Sequence, residues 1–188
     1  VKRTFNDFSI LIVEDEPAIL DLLEDYLKEE GRNVEGVLRG EFALNKHREN
    51  HYDLLIVDIN LPDISGIELM KHIRSFDSMV EFIIITGYAS LESAIEAVRL
   101  GAFDYIVKPF RIEELKNTVN NVKEKVALKN LNRYLLKNIE NLYNEIKRYS
   151  TGNQKEPFEN TLQSINTQRI LDIIHTLENF EKGRFLID

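Results

Sequence analysis

A doubly wound α/β fold, one open parallel sheet with helices on both faces, is predicted by three features of this sequence. Short apolar runs alternate with segments of helical periodicity, and the alternation occurs five times before residue 125. Most of the runs are unbroken, as in Ile10-Leu11-Ile12-Val13 and Leu54-Leu55-Ile56-Val57, which is the pattern of strands buried on both faces. The runs also end in reactive polar residues: Glu14-Asp15, Asp58, Thr86 and Lys108. Open α/β sheets gather their working residues at the carboxyl ends of strands.

The elements follow in order. Residues 10–13 form the first strand. Pro17 suits the first position of the helix after it, because its missing N–H would have no partner there. Ile19, Leu20, Leu23, Tyr26 and Leu27 share one face of that helix, and Gly31 stops it. Residues 34–38 read as a second strand and 41–50 as a second helix. The third strand, 54–57, ends at Asp58. A loop of turn-forming residues, Asn60 to Gly66, leads into a helix over 67–75. Phe82-Ile83-Ile84-Ile85 is the fourth strand and ends at Thr86. Ser90 caps the next helix, which runs to about Leu100 with Glu92 in its favourable first turn. Asp104-Tyr105-Ile106-Val107 is the fifth strand, ended by Lys108-Pro109, and a long helix starts at about Ile112.

Composition narrows the class. The chain has 188 residues and no cysteine, which excludes disulfides, thiolate metal sites and cysteine nucleophiles and fits a reducing cytoplasm. No apolar run approaches the roughly 20 residues that span a bilayer. The first residues lack the apolar stretch of a secretory signal, and the absence of an initiating Met leads us to expect a trimmed chain. The net charge of −8 divides unevenly: residues 1–110 carry 11 basic and 21 acidic side chains, residues 111–188 carry 13 and 11. The first part repels nucleic acid and the second has no basic stripe, so direct nucleic-acid binding is not expected.

Three carboxylates at one sheet edge cannot all stay ionised without compensation. A hard divalent cation resolves that conflict, and Mg²⁺ prefers one or two carboxylates, several waters and a phosphate oxygen. Phosphoryl transfer wants the same surroundings, and a carboxylate can itself be the nucleophile, giving an acyl phosphate. Lys108 would supply a fixed positive charge and Thr86 a hydroxyl donor, with Gly87 leaving room beside it. Taken singly, an acidic strand end is usually just solvated and a Lys-Pro is usually a turn. Their fall at successive strand ends of one sheet argues for a shared site.

The segments Leu11-Ile12-Val13-Glu14-Asp15-Glu16, Val57-Asp58-Ile59-Asn60-Leu61-Pro62, Thr86-Gly87-Tyr88 and Lys108-Pro109-Phe110 together resemble the receiver domain of bacterial response regulators. The resemblance covers about residues 8–125. It implies a flavodoxin-like, five-stranded sheet in the order 2-1-3-4-5, the order known for this family. It further implies that Asp58 is the phosphoacceptor and that Asp15 and Asp58 bind Mg²⁺ with the backbone carbonyl of Asn60. Glu14 would contribute through water; many relatives have Asp there, and the extra methylene leaves its contact open. Thr86 and Lys108 would hold the phosphoryl group, and the Lys108-Pro109 bond is expected to be cis. Thr86 and Tyr105 would form the switch, with core packing as the plainer role for Tyr105. The resemblance also implies that Asn60 and Tyr88 occupy positions that, in the family, tune dephosphorylation. The implied partner is a sensor histidine kinase or a histidine phosphotransfer protein, and the implied chemistry is confined to phosphotransfer to, and dephosphorylation of, the chain's own Asp58.

Beyond the receiver, no Gly or Pro interrupts residues 113–149. Leu115, Val119, Val122 and Val126 mark one apolar seam; Leu128, Leu131, Leu135, Ile139, Leu142, Ile146 and Tyr149 mark another, with slips of phase between them. Residues 126–149 are therefore expected to be a helical linker forming a two-stranded coiled coil in a homodimer, the alternative being a helix packed on its own receiver. Residues 150–160 read as a flexible break and 161–188 as a short helical tail. The histidines, His47, His51, His72 and His175, show no ligand spacing. Thr86-Gly87-Tyr88-Ala89-Ser90 and the long linker also resemble receivers of enhancer-binding transcription activators, so an activator fragment whose output domain is missing is a second reading. A haloacid-dehalogenase-like phosphatase is a third, disfavoured because that class wants Asp-x-Asp after its first strand, whereas Asp58-Ile59-Asn60 follows the third.

Overall fold

The computed structural model describes residues 8–28, 32–151 and residue 174. The expected break at 150–160 and helical tail at 161–188 lie almost wholly outside them. Strands and helices alternate as β1 (Ser9–Val13), α1 (Pro17–Lys28), β2 (Asn33–Val37), α2 (Gly40–Asn50), β3 (Leu54–Asp58), α3 (Gly66–Arg74), β4 (Glu81–Thr86), α4 (Leu91–Arg99), β5 (Asp104–Val107) and α5 (Ile112–Thr151). One five-stranded sheet has the order β2-β1-β3-β4-β5, and every pairing is parallel.

The apolar runs became the strands with both faces covered. Every residue of β1, β3 and β4 is buried, while the edge strands β2 and β5 are only partly so. Because side chains alternate along a strand, the sheet has two cores. On one face Ile10, Ile12, Leu54, Ile56, Ile83 and Ile85 pack with Leu20, Leu23 and Leu27 of α1 and Leu115, Val119 and Val122 of α5. On the other, Leu11, Val13, Leu55, Val57, Phe82 and Ile84 pack with residues of α2 and α3 and with Ala97 of α4. Ala97 is the one residue of α4 that is buried; Leu91 and Val98 of the same helix are 73% and 70% exposed.

Helix starts follow local chemistry. Ser65 and Ser90 cap α3 and α4 with their hydroxyls, as expected of Ser90. Helix α2 differs: Arg39 at its N-cap makes no side-chain bond, and the carboxylate of Asp63, from the β3–α3 loop, accepts from Gly40 N at 3.0 Å and Glu41 N at 2.8 Å. The loop after Asp58 is thereby tied to the start of α2. Its other end is fixed by Gly66, whose N–H donates to the Ile59 carbonyl at 2.9 Å. A Cβ on Gly66 would stand 2.2 Å from the Asp58 carbonyl oxygen, so no other residue fits without moving β3.

The chain separates into two compact units, one spanning Asp7–Val126 and one made of Val1–Asn6 with Ala127–Asp188. In the second, Leu128, Leu136, Ile139 and Tyr143 of α5 are 49–67% exposed. At 3.6 residues per turn they fall within an arc of roughly 80°. Leu128 and Ile139 belong to the seam expected from the sequence; of its other members, Leu131 is buried and Leu135 and Leu142 are partly buried. Among the described residues no helix is long and apolar enough to cross a membrane.

Candidate functional site

Parallel pairing sets the carboxyl ends of β1, β3 and β4 level with one another: Val13 is opposite Val57, and Asp58 is opposite Ile85. Glu14 continues β1 by donating its N–H to Val37 O at 3.1 Å. The next residues of each strand then share one hollow. Carboxylate oxygens of Glu14, Asp15 and Asp58 all lie within 4.8 Å of one another. Glu14 and Asp58 are buried, at 1% and 6% exposure, and Asp15 is exposed.

Lys108 enters from the end of β5. Its Nζ donates to Asp58 Oδ2 at 2.6 Å and to Glu14 Oε2 at 2.7 Å. Its backbone N–H donates to Thr86 O at 2.8 Å, and the Lys108-Pro109 peptide is cis, as expected. Burial works against the Lys108 ammonium, but the hydrogen bonds to Asp58 and Glu14 outweigh it and hold its pKa above the usual lysine value. Burial pushes the Glu14 carboxyl up, and its bond with Lys108 only partly offsets this. Lys108 thus bonds two of the three carboxylates, Glu14 and Asp58.

Those residues fit a hard divalent cation. All the candidate donors are oxygens, and Glu14 Oε1 is buried without a hydrogen-bond partner. Asp58 Oδ1 accepts from Asn60 N at 2.9 Å, which anchors the residue whose carbonyl was expected to be a ligand. Thr86 is fully buried, and its Oγ1 accepts from Tyr88 N at 3.1 Å. A Cβ on Gly87 would touch nothing within 4 Å, so the space beside Thr86 is open and does not depend on that glycine. Tyr88 is 82% exposed, and Asn60 is exposed too. Tyr105 is half-buried on the α2–α4 side of the sheet, and its hydroxyl lies 2.8 Å from Ser93 Oγ.

Sequence reading missed three features. Ser93 and Asp63 carry no recognisable signal, since a capping box is normally closed by Glu or Gln and a cap is sought next to its own helix. The histidines were read as lacking ligand spacing, yet His47 and His51, four apart on α2, meet Asp77 in a group with metal-ligand types. Its hydrogen bonds argue against a metal. Tyr52 N donates to His47 Nδ1 at 3.2 Å, which leaves the imidazole proton on Nε2, and Nε2 faces Asp77 Oδ2 at 3.0 Å. His47, fully buried, instead joins the end of α2 to the loop before β4.

With the geometry in hand, comparison with known proteins is specific. The family model described as the response regulator receiver domain matches residues 10–120. The regulatory protein AtoC of Escherichia coli (strain K12) is 35% identical over 126 residues, which are 67% of this chain and 27% of AtoC. The chain thus spans about a quarter of that relative. A receiver domain protein from Methanospirillum hungatei JF-1 has a crystal structure similar to this one with TM-score 0.63 and 33% identity, over 64% of this chain and 97% of that one. The response regulator TrrA from Thermotoga maritima, whose structure is a complex with Mg²⁺ and beryllofluoride, is 38% identical with TM-score 0.56, over 61% and 97% of the two chains.

Proposed function

Since the chain belongs to the response regulator receiver domain family, we propose that it accepts a phosphoryl group on Asp58 from a phosphohistidine and relays that event through its helical surface. The observation that carries the reading is the junction of Lys108 with two buried carboxylates, Asp58 and Glu14, beside Asp15.

In this reading one Asp58 carboxylate oxygen attacks phosphorus, the P–N bond of the donor breaks, and the imidazole leaves with the electron pair. Asp15, Asp58 and the Asn60 carbonyl would hold Mg²⁺, with Glu14 behind water, and the ion would neutralise the phosphoryl oxygens. Lys108 exchanges its bond to Asp58 for one to the phosphoryl group. Thr86 turns its hydroxyl from Tyr88 N–H to the same group.

Asp58→Asn in the full chain tests this. The variant is expected to fold, because Asn fills the same volume, and to take no phosphate from acetyl phosphate with Mg²⁺. Stable phosphorylation of the variant at wild-type level removes Asp58 from the role.

The exposed apolar face of α5 supports a homodimer through residues 126–149 as the route of output, and its test is given in the Discussion. A second reading, in which these residues regulate a longer transcription activator, draws on the identity with AtoC and the share of that protein it covers. An ATPase or DNA-binding domain continuing the open reading frame would decide in its favour.

A further inference from the structure

Helix α4 begins with a reciprocal cap. Ser93 N donates to Ser90 Oγ at 3.1 Å, and Ser90 N donates to Ser93 Oγ at 3.3 Å. Ser93 also donates its one hydroxyl proton to Ser90 O at 3.0 Å. The contact between Ser93 Oγ and Tyr105 Oη, at 2.8 Å the shortest that Ser93 makes, then has Tyr105 as donor and Ser93 as acceptor. The first turn of α4 is thus wired to a side chain of β5.

The two ends of that wire return to the Asp58 site. Thr86 pairs with Val107 across β4 and β5, and Tyr105, two residues back, pairs with Ile84, so Thr86 and Tyr105 lie on the same side of the sheet. On the other route, Thr86 Oγ1 holds Tyr88 N–H, and Tyr88 is two residues from the capping Ser90. Thr86, Tyr88, Ser90, Ser93, Tyr105 and Val107 close a loop whose links are hydrogen bonds, one strand pairing and short stretches of chain.

We infer that Ser93 is a positioning residue: its hydroxyl holds Tyr105 against the first turn of α4, and this contact is released when a phosphoryl group on Asp58 takes Thr86. The inference rests on the proposed role of Asp58. In the arrangement described, the site's groups pair with each other: Lys108 with Asp58 and Glu14, Thr86 with the Tyr88 amide. A phosphoryl group needs both Lys108 and Thr86, so it favours a different arrangement. Any bond specific to the first opposes it, and loss of that bond makes the ligand bind more tightly.

The test uses the full chain labelled with 3-fluorotyrosine, as wild type, Ser93→Ala, Tyr105→Phe and the double variant. Tyr105→Phe assigns the Tyr105 fluorine resonance among the seven tyrosines and removes the contact without touching the cap. Without ligand, Ser93→Ala should move that resonance toward its position in wild type saturated with Mg²⁺ and beryllofluoride. Each single substitution should tighten apparent beryllofluoride binding roughly two- to tenfold, the span of one net hydrogen bond. Ser93→Ala made in the Tyr105→Phe background should change it by less than about twofold. An unmoved resonance in Ser93→Ala, weaker binding, or single effects that simply multiply would overturn the inference. Failure of the Asp58 reading shows separately, as a wild-type chain that takes no phosphate from acetyl phosphate; the ligand-free resonance of Ser93→Ala still decides the contact.

Discussion

Lys108 and Asp58 are fifty positions apart in the chain and 2.6 Å apart in space, and the ammonium also bonds Glu14 at 2.7 Å. A cation fixed by the end of β5 thus closes the acidic edge formed by β1 and β3. The pairing is direct, so it links the stability of the fold to the chemistry proposed for Asp58.

Lys108→Met leaves two buried carboxylates side by side with no cation. The expected cost is about 3 kcal/mol of unfolding free energy, because charges that lose a buried partner stay desolvated. Urea unfolding measures this, and millimolar Mg²⁺ should restore part of it by supplying the missing charge. An unchanged midpoint would mean that Lys108 contributes nothing to holding Glu14 and Asp58 together.

Gly66→Ala acts on the backbone of the phosphoacceptor strand. Its methyl carbon would meet the Asp58 carbonyl oxygen at 2.2 Å, so the end of β3 has to shift. Destabilisation of about 2 kcal/mol is expected, together with slower phosphorylation from acetyl phosphate at saturating Mg²⁺. A variant that loses stability but keeps the wild-type rate would show that Asp58 tolerates the movement.

Asp63 gives a pH signature. Burial works against its carboxylate, but the N–H groups of Glu41 and Gly40, with those of Ile64 and Asp63 itself, outweigh this and hold its pKa below the ordinary 3.8. A carboxyl group with a lowered folded-state pKa stabilises the fold above its unfolded value and ceases to do so as pH falls through the folded value. Asp63→Ala should therefore cost about 1 kcal/mol at pH 7, the usual worth of a helix cap, and the gap from wild type should narrow below pH 3.8. Asp63→Asn should keep most of the cap at neutral pH. Equal gaps at pH 7 and pH 3 would refute the assignment.

The α5 face makes a prediction about assembly. Leu136→Asp with Ile139→Asp places two charges in the exposed apolar arc and should convert a dimer to a monomer in sedimentation at micromolar concentration. Leu128 and Tyr143 lie on the same arc. A wild-type chain that is monomeric at high concentration would remove the coiled coil altogether.

How far the sequence could be read depended on how far each signal reached. Unbroken runs such as Ile10–Val13 and Leu54–Val57 announce central strands because burial on both faces leaves no room for polar residues. The site was legible because Glu14, Asp15, Asp58, Thr86 and Lys108 each stand at a strand end, and parallel pairing brings those ends together. Contacts between distant side chains were not legible. Asp63 caps a helix 23 residues back, Ser93 meets Tyr105 across two elements, and His47 meets Asp77 thirty residues on. None has a spacing rule, since each depends on how loops return over the sheet. The α5 seam was legible only in part for a related reason: a long helix with several apolar stripes does not say which stripe its neighbours cover.

Ala97 sets the scale of motion that α4 can make. A helix whose one fully buried side chain is a methyl group surrenders little apolar contact when it slides or tilts. Its neighbour α3 buries Ile67, Leu69, Met70 and Ile73, and moving that helix would disrupt the interior. A few hydrogen bonds made or lost at the sheet edge are enough to displace α4, whereas they would leave α3 where it is. Amide protons of α4 should accordingly exchange with solvent well before those of α3.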